Sequence, residues 1–170
     1  MDILKTNTDV NEGNKVRLKD NYNNGLEKEE ELLNILYENG IIFKHNERYS
    51  VLDYNYNNDD VNIFIELKTR TIQKDYYKTT ILAKNKVKYY LNNKDDNKKN
   101  YLFVIFGFIK EETDDNSLNY YYIQYTTNFK NYKPFYNRYE NNKEYYQIPI
   151  EDLKPINKLL ETNLFKGIRY

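Results

Sequence analysis

Three side chains in one stretch of this 170-residue chain could do hydrolytic chemistry: Asp53, Glu66 and Lys68. Glu66 and Lys68 stand at i and i+2 inside the apolar run 61–69. Alternate residues of a strand share a face, so these two project together. Val61, Ile63, Ile65 and Leu67 then point the other way, into a core. Asp53 lies on the strand-like segment just before. Two carboxylates and one ammonium converging at a strand edge suit a divalent metal ion and an attacking water. That combination fits phosphodiester hydrolysis.

An acid-x-Lys triplet is cheap in a chain with 26 Asp and Glu and 26 Lys and Arg. It recurs at Asp96-Asn97-Lys98 and Asp152-Leu153-Lys154. Asp96 falls in the polar run 92–100, which reads as a solvated loop. Asp152 precedes Pro155 and reads as a turn or helix start. Only Glu66 and Lys68 sit in an apolar β-type run, where burying charge without purpose costs free energy. The competing reading is an exposed cross-strand ion pair on a one-faced sheet.

The elements that must position these residues follow from periodicity. Residues 26–38 form a helix, capped by Asn24 and ended by Asn39-Gly40, with Leu26, Leu32, Leu33, Leu36 and Tyr37 as one stripe. Glu29 falls at the centre of that stripe. It is either a first-turn acid favoured by the helix dipole or an acid aimed at the metal. Short strands are expected over 41–45 and 49–54, a turn over 55–60, and a third strand over 61–69. A second helix is expected over 80–91, capped by Thr79 or Thr80, with Leu82, Ala83, Val87 and Tyr90 facing inward. Lys86 lies on that inward face, where a lysine either snorkels or meets an acid or phosphate. Residues 101–109 read as a strand covered on both faces. Further strands are expected over 118–127 and 145–150, an irregular aromatic segment over 128–143, and a terminal helix over 156–164. The crossover through the second helix should set the 101–109 strand parallel to the third.

Composition sets the outer bounds. The length suits one domain with a real core. The expected division is a flexible polar arm over 1–24 and a single domain over 25–170. There are 20 Tyr, 8 Phe and no Trp, a bias that suits an AT-rich genome, viral ones included, so tyrosine richness alone says little. The absence of Cys removes disulfides and thiolate metal sites and fits an intracellular, cytoplasmic protein. No apolar run approaches a membrane span, and the N-terminus lacks a signal-peptide pattern. Net charge is zero, but 68–99 holds ten Lys or Arg and three Asp, leaving this stretch at +7 and the rest at −7. A basic face on a neutral protein can hold a phosphate backbone; it can equally be a solvated helix surface.

With its α-β-β-β-α-β order, an acid, Asp53, on the second strand and Glu66-x-Lys68 on the third, the chain resembles the PD-(D/E)xK nuclease superfamily over roughly 26–109. Leu52 stands where that family often has a proline, and Asp59 and Asp60 are rivals for the first acid. The resemblance implies an α/β, restriction-endonuclease-like fold: a mixed central sheet flanked by helices, here with extra C-terminal strands. It implies that Asp53 and Glu66 ligate Mg²⁺ or Mn²⁺ with the Leu67 carbonyl. Lys68 would polarise the attacking water, and Glu29 would match the family's first-helix acid. Lys86, Arg70 and Lys84 are then candidates for substrate binding. The implied activity is a Mg²⁺-dependent nuclease, endonuclease in preference to exonuclease, on DNA in preference to RNA, without a membrane partner; a homodimer stays open. The alternative is a catalytically silent nucleic-acid-binding or scaffolding domain on the same fold. His45, the only histidine, reads as a surface residue of the first hairpin.

Overall fold

The computed structural model describes residues 25–47, 49–110 and 117–169. The expected polar arm over 1–24, and Asn24 as a cap, lie outside the described residues. The fold is mixed α/β: a mixed sheet with helices on its flanks.

Helix α1 covers residues 25–38. It ends as its sequence suggests: Gly40 takes φ +76°, Ile41 N–H donates to the Leu36 carbonyl and Gly40 N–H to the Tyr37 carbonyl. That pair of bonds closes a helix through a left-handed residue, which glycine adopts without a Cβ penalty. Leu32 and Leu36 are fully buried, with Leu33 and Ile35 packed behind them. Tyr37 and Leu26 are exposed, so the buried stripe is narrower than expected and shifted towards Ile35.

Among the described residues, six strands form the main sheet: β1 (Lys44–His45), β2 (Tyr54–Asn57), β3 (Val61–Arg70), β5 (Lys99–Ile109), β6 (Leu118–Gln124) and β9 (Lys154–Pro155), in the order β1-β2-β3-β5-β6-β9. The hairpin β2–β3 is antiparallel, and β3 runs parallel to β5 from Val61↔Lys99 to Arg70↔Phe108. A second sheet has the order β4 (Thr79–Ala83), β8 (Lys143–Pro149), β7 (Pro134–Asn137). Helix α2 (Lys84–Asn93) follows β4; α3 (Ile156–Leu160) and α4 (Asn163–Gly167) close the chain.

Two apolar clusters flank the main sheet. One joins Val61, Ile63, Ile65 and Leu67 to α1, α3 and α4. The other joins Phe64, Leu102, Val104 and Phe106 to Leu82, Val87 and Tyr90, and to Ile148 on the small sheet. Burying each such side chain stabilises by about 1.5–3 kcal/mol, so β3 and β5, covered on both sides, are the rigid centre.

Several expectations fail locally, and the first strand, expected over 41–45, is only Lys44–His45. Residues 49–53 are not a strand. Ser50 N–H turns back to the Glu47 carbonyl, and side chains take the next carbonyls: Lys86 bonds Val51 O, and Asn46 Nδ2 bonds Leu52 O at 2.9 Å. Pairing therefore starts at Tyr54 and runs through Asn57, inside the expected turn. The real turn is tighter, because Asn58 Oδ1 accepts the Asp60 and Val61 N–H groups at 2.9 and 2.8 Å. Residues 79–83 are a strand and not the start of α2. Their β-branched side chains suit pairing with β8, and Ala83 is the N-cap, without a side-chain bond. The aromatic segment contains β7, and the terminal helix is split in two.

Candidate active site

Glu66 alternates with Ile65 and Leu67, so it faces the α2 side of the sheet. It has no solvent exposure. This excludes the exposed ion pair that the sequence left open. Lys68 follows on the same face, near the end of β3, with its side chain 30% exposed. Lys86 approaches from α2, 16% exposed, and its Nζ lies 2.8 Å from Glu66 Oε1. Lys68 Nζ pairs with the same oxygen. The second oxygen, Oε2, is buried and makes no hydrogen bond among the described residues.

A buried carboxylate oxygen without a donor is costly, of order 1–3 kcal/mol or more when charged. Burial pushes the Glu66 carboxyl above its ordinary range. Lys68 pulls it back, Asp53 adds to the rise, and Lys86 opposes it less strongly. The net direction is up because burial outweighs both ammonium groups.

Asp53 stands one residue beyond the β2–β3 pairing. Tyr54 pairs with Ile65, and Asp53 lies near enough to Glu66 for its charge to add to the rise of the Glu66 pKa. Its N–H donates to the Ile65 carbonyl at 3.1 Å, and its Oδ2 accepts the Leu67 N–H at 2.7 Å. The Ile65 carbonyl faces β2; two residues on, the Leu67 N–H and carbonyl face the same edge, beyond the last β2 pair. Asp53, Glu66 and the Leu67 peptide thus meet where β2 stops. Asp53 sits in a bend, but that bend is fixed by Lys86 on Val51 O and by Asn46 on Leu52 O.

Glu29 lies nearby but is engaged differently. Its Oε2 is 2.7 Å from His45 Nε2, and His45 Nδ1 is 2.7 Å from the Asn46 carbonyl. Both partners are acceptors, so the two bonds are made together only when both ring nitrogens carry a proton. Burial alone would lower the His45 pKa; the Glu29 and Asn46 bonds outweigh it and raise it. Tyr54 donates its hydroxyl to the Glu29 carbonyl at 3.0 Å and sets its ring edge-on to His45. Glu29, His45, Ser50 and Asp53 line a cavity of about 60 Å³. No local pattern signals this pair, because its members are 16 residues apart on different elements.

The other candidates are placed away from Glu66. Arg70 donates to Thr80 Oγ1 at 3.2 Å and to the Ile81 carbonyl at 2.7 Å, and lies over the Phe106 ring. It ties β3 to β4. Lys84 pairs with Glu144 on β8 at 2.8 Å. On the α2 wheel, Lys84 and Lys88 fall on the flank opposite Lys86. Asp60 contributes its carbonyl to Lys99 N–H in the hairpin turn.

Among the described residues, no three His, Cys, Asp or Glu side chains gather closely enough to hold a cation by themselves. Magnesium does not need three: it is commonly held by one or two carboxylates, keeps several waters and takes substrate phosphate oxygens. Asp53, Glu66 with its unpartnered Oε2, and the Leu67 carbonyl form a hard-oxygen set of that kind. No protein-family model matches the chain, and no curated protein matches it significantly in sequence.

Proposed function

We propose that this chain is a Mg²⁺- or Mn²⁺-dependent nuclease on a restriction-endonuclease-like core, cutting DNA internally. The observation that carries the reading is Glu66, an acid buried completely in the rigid centre of the sheet, met by two lysines and Asp53, with one oxygen left without a donor. A structural ion pair has no need to leave that oxygen bare.

In this reading Asp53 and Glu66 hold the ion with the Leu67 carbonyl. The bound ion supplies Lewis-acid polarisation of a phosphoryl oxygen and lowers the pKa of water. Hydrolysis forms a bond from the water oxygen to phosphorus and breaks one P–O ester bond. The products are a phosphomonoester and a hydroxyl. Lys68, partly open to solvent, orients the water and offsets charge that develops on the phosphoryl oxygens. Lys86 holds the Glu66 carboxylate and the 49–53 bend together, and so sets the position of Asp53.

The test is cleavage of plasmid, linear duplex and single-stranded DNA with Mg²⁺ or Mn²⁺, beside the Glu66→Gln variant and a chelator control. The expected result is metal-dependent cleavage that Glu66→Gln abolishes. Cleavage in excess chelator, or at the parent rate in the variant, overturns the assignment. Binding without cleavage under any metal favours the silent-domain alternative.

A further inference from the structure

Arg70 ends β3 on the same face as Glu66 and Lys68, about 13 Å along the strand from Glu66. It is half-buried, and burial lowers its pKa, the direction for a cation that gains no counter-charge. The one group that acts on its charge is Tyr145, a phenol pushed up to about 12 and therefore neutral. No carboxylate pairs with Arg70 among the described residues. A guanidinium carries five N–H donors. Here one on Nε bonds Thr80 Oγ1 and one on Nη2 bonds the Ile81 carbonyl. The others, both on Nη1 included, meet no acceptor among the described residues, and Nη1 is not sealed from solvent.

Arg70 lines a cavity of about 340 Å³ between the end of β3 and the edge of β4. Strand β4 is an outer strand of the small sheet. Ile150 N–H donates to the Lys78 carbonyl, so the ladder to β8 uses Lys78, Thr80 and Leu82. Thr79 and Ile81 then turn their N–H groups to the open edge. The Arg70 bond to the Ile81 carbonyl marks the same edge. Thr79 and Ile81 line the cavity with Arg70. Lys74 lines it too, but its ammonium lies over the Tyr121 ring and 3.5 Å from exposed Asp75, so the uncompensated charge is that of Arg70. Among the described residues no acid lines this cavity, and Ile72, Phe108 and Ile150 give it an apolar wall.

We propose that the β3–β4 cavity binds a small phosphomonoester, its phosphate on the open N–H groups of Arg70 and on the Thr79 and Ile81 N–H groups, its organic part against Phe108 and Ile72. A guanidinium edge meets two oxygens of one anion, and N–H groups at a sheet edge form anion-binding concavities. The guanidinium is held in place by Thr80, Ile81 and the Phe106 ring beneath it. Phosphate suits the set better than carboxylate, because it offers a third acceptor oxygen to the edge N–H groups. A peptide strand added along β4 would need the Ile81 carbonyl, which Arg70 already holds. The volume is near the lower end of small-molecule sites, about 300–1,000 Å³, so a duplex does not enter. Either a free nucleotide or the phosphorylated end of a strand carries the required group. The site is separate from Glu66 and does not rest on the nuclease reading.

The test is calorimetric titration of the full chain with thymidine 5′-monophosphate, in excess chelator so that no metal at Glu66 holds the phosphate. Thymidine and acetate are the comparison ligands. The variants are Arg70→Met, Thr79→Phe and, on α3 across the sheet, Lys158→Met as control. Thr79→Phe fills the cavity and leaves every contact of Arg70 in place, so it carries the test if Arg70→Met folds poorly; thermal melts check each. The parent should bind the monophosphate, and thymidine and acetate at least about tenfold more weakly, the worth of one charge-assisted hydrogen bond. Thr79→Phe and folded Arg70→Met should each lose about tenfold or more, and Lys158→Met should bind as the parent does. No binding by the parent, parental affinity in Thr79→Phe, or an equal loss in Lys158→Met overturns the site. Displacement of the monophosphate by a 5′-phosphorylated oligonucleotide and not by its hydroxyl-ended twin assigns a strand end; displacement by neither assigns a free nucleotide; displacement by both overturns the monoester. Metal-dependent cleavage is read separately, so either proposal can fail without the other.

Discussion

Replacing Glu66 by Gln keeps the shape of the side chain and removes its charge. In chelator-treated protein this should raise stability at neutral and alkaline pH. Glu66 is fully buried and its carboxyl pKa is raised, chiefly by burial. An acid with a raised folded pKa binds more protons folded than unfolded. Its contribution is fully present below the unfolded value, 4.5, and is lost as pH rises through the folded one. Gln does not titrate. Near pH 4 the protonated acid and the amide offer Lys68 and Lys86 the same neutral group, so the lysine terms cancel and the two proteins should melt nearly together. With rising pH the variant should gain by at most about 1.4 kcal/mol per unit, the worth of one proton, and then level off. For a domain of this size each kcal/mol moves Tm by about 2–4 °C.

Magnesium should reverse the order. At a hundredfold excess over Kd it stabilises the folded parent by about 2.7 kcal/mol, and the variant, lacking a ligand charge, by much less. The assay is a set of thermal melts of both proteins from pH 4 to 8.5, with and without Mg²⁺. A Tm gap that does not change with pH would refute the burial reasoning. Equal Mg²⁺ shifts in parent and variant would refute the ligand role.

Lys68→Ala should abolish cleavage while Mn²⁺ binding, followed by calorimetry, stays intact or tightens, because a neighbouring cation is gone; parental activity would reduce Lys68 to an ion-pair partner. Lys86→Met should lose about 1–3 kcal/mol in urea unfolding, since the Val51 carbonyl and Glu66 both lose a donor, and cleavage should fall with it. Arg70→Met should cost a similar amount while leaving the salt slope of oligonucleotide binding unchanged, because its Nε and Nη2 tie it to Thr80 and Ile81. The single His45 should titrate above 6.5 by NMR, and Glu29→Gln should lower that midpoint. The pair's stabilisation is present below pH 6.5 and fades as pH climbs through the raised value.

The centre of this fold was legible because β3 and β5 obey simple patterns. The alternation in β3 placed Ile63, Ile65 and Leu67 in one cluster and Glu66 opposite, and the near-continuous apolar run of β5 announced a strand covered on both faces. The parallel β3–β5 pairing followed from the crossover. Failures came where backbone groups are satisfied by distant side chains, which no local period reports. Residues 49–53 have the composition of a strand, yet Lys86 and Asn46 take their carbonyls. Residues 79–83 looked like the first turn of a helix, and only β8, more than 60 residues later, makes them a strand. Lys86 on an inward helix face was visible as an anomaly, but its acceptors were not.

Those local failures bear on the chemistry. Had 49–54 been a regular strand, Leu52 would have paired along β3, and the Leu67 N–H and carbonyl would have been spent on the ladder. Pairing begins instead at Tyr54, so the Leu67 N–H is free to hold Asp53 Oδ2 and its carbonyl stays at the edge. The same departure brings the Val51 carbonyl to Lys86, which also holds Glu66. One lysine on α2 thus positions both acids, one through its own carboxylate and one through the backbone beside it. Loss of Lys86 should therefore degrade the site more than its single charge suggests. A double-mutant cycle with Asp53→Asn should show strong non-additivity, although the two side chains share no direct bond among the described residues.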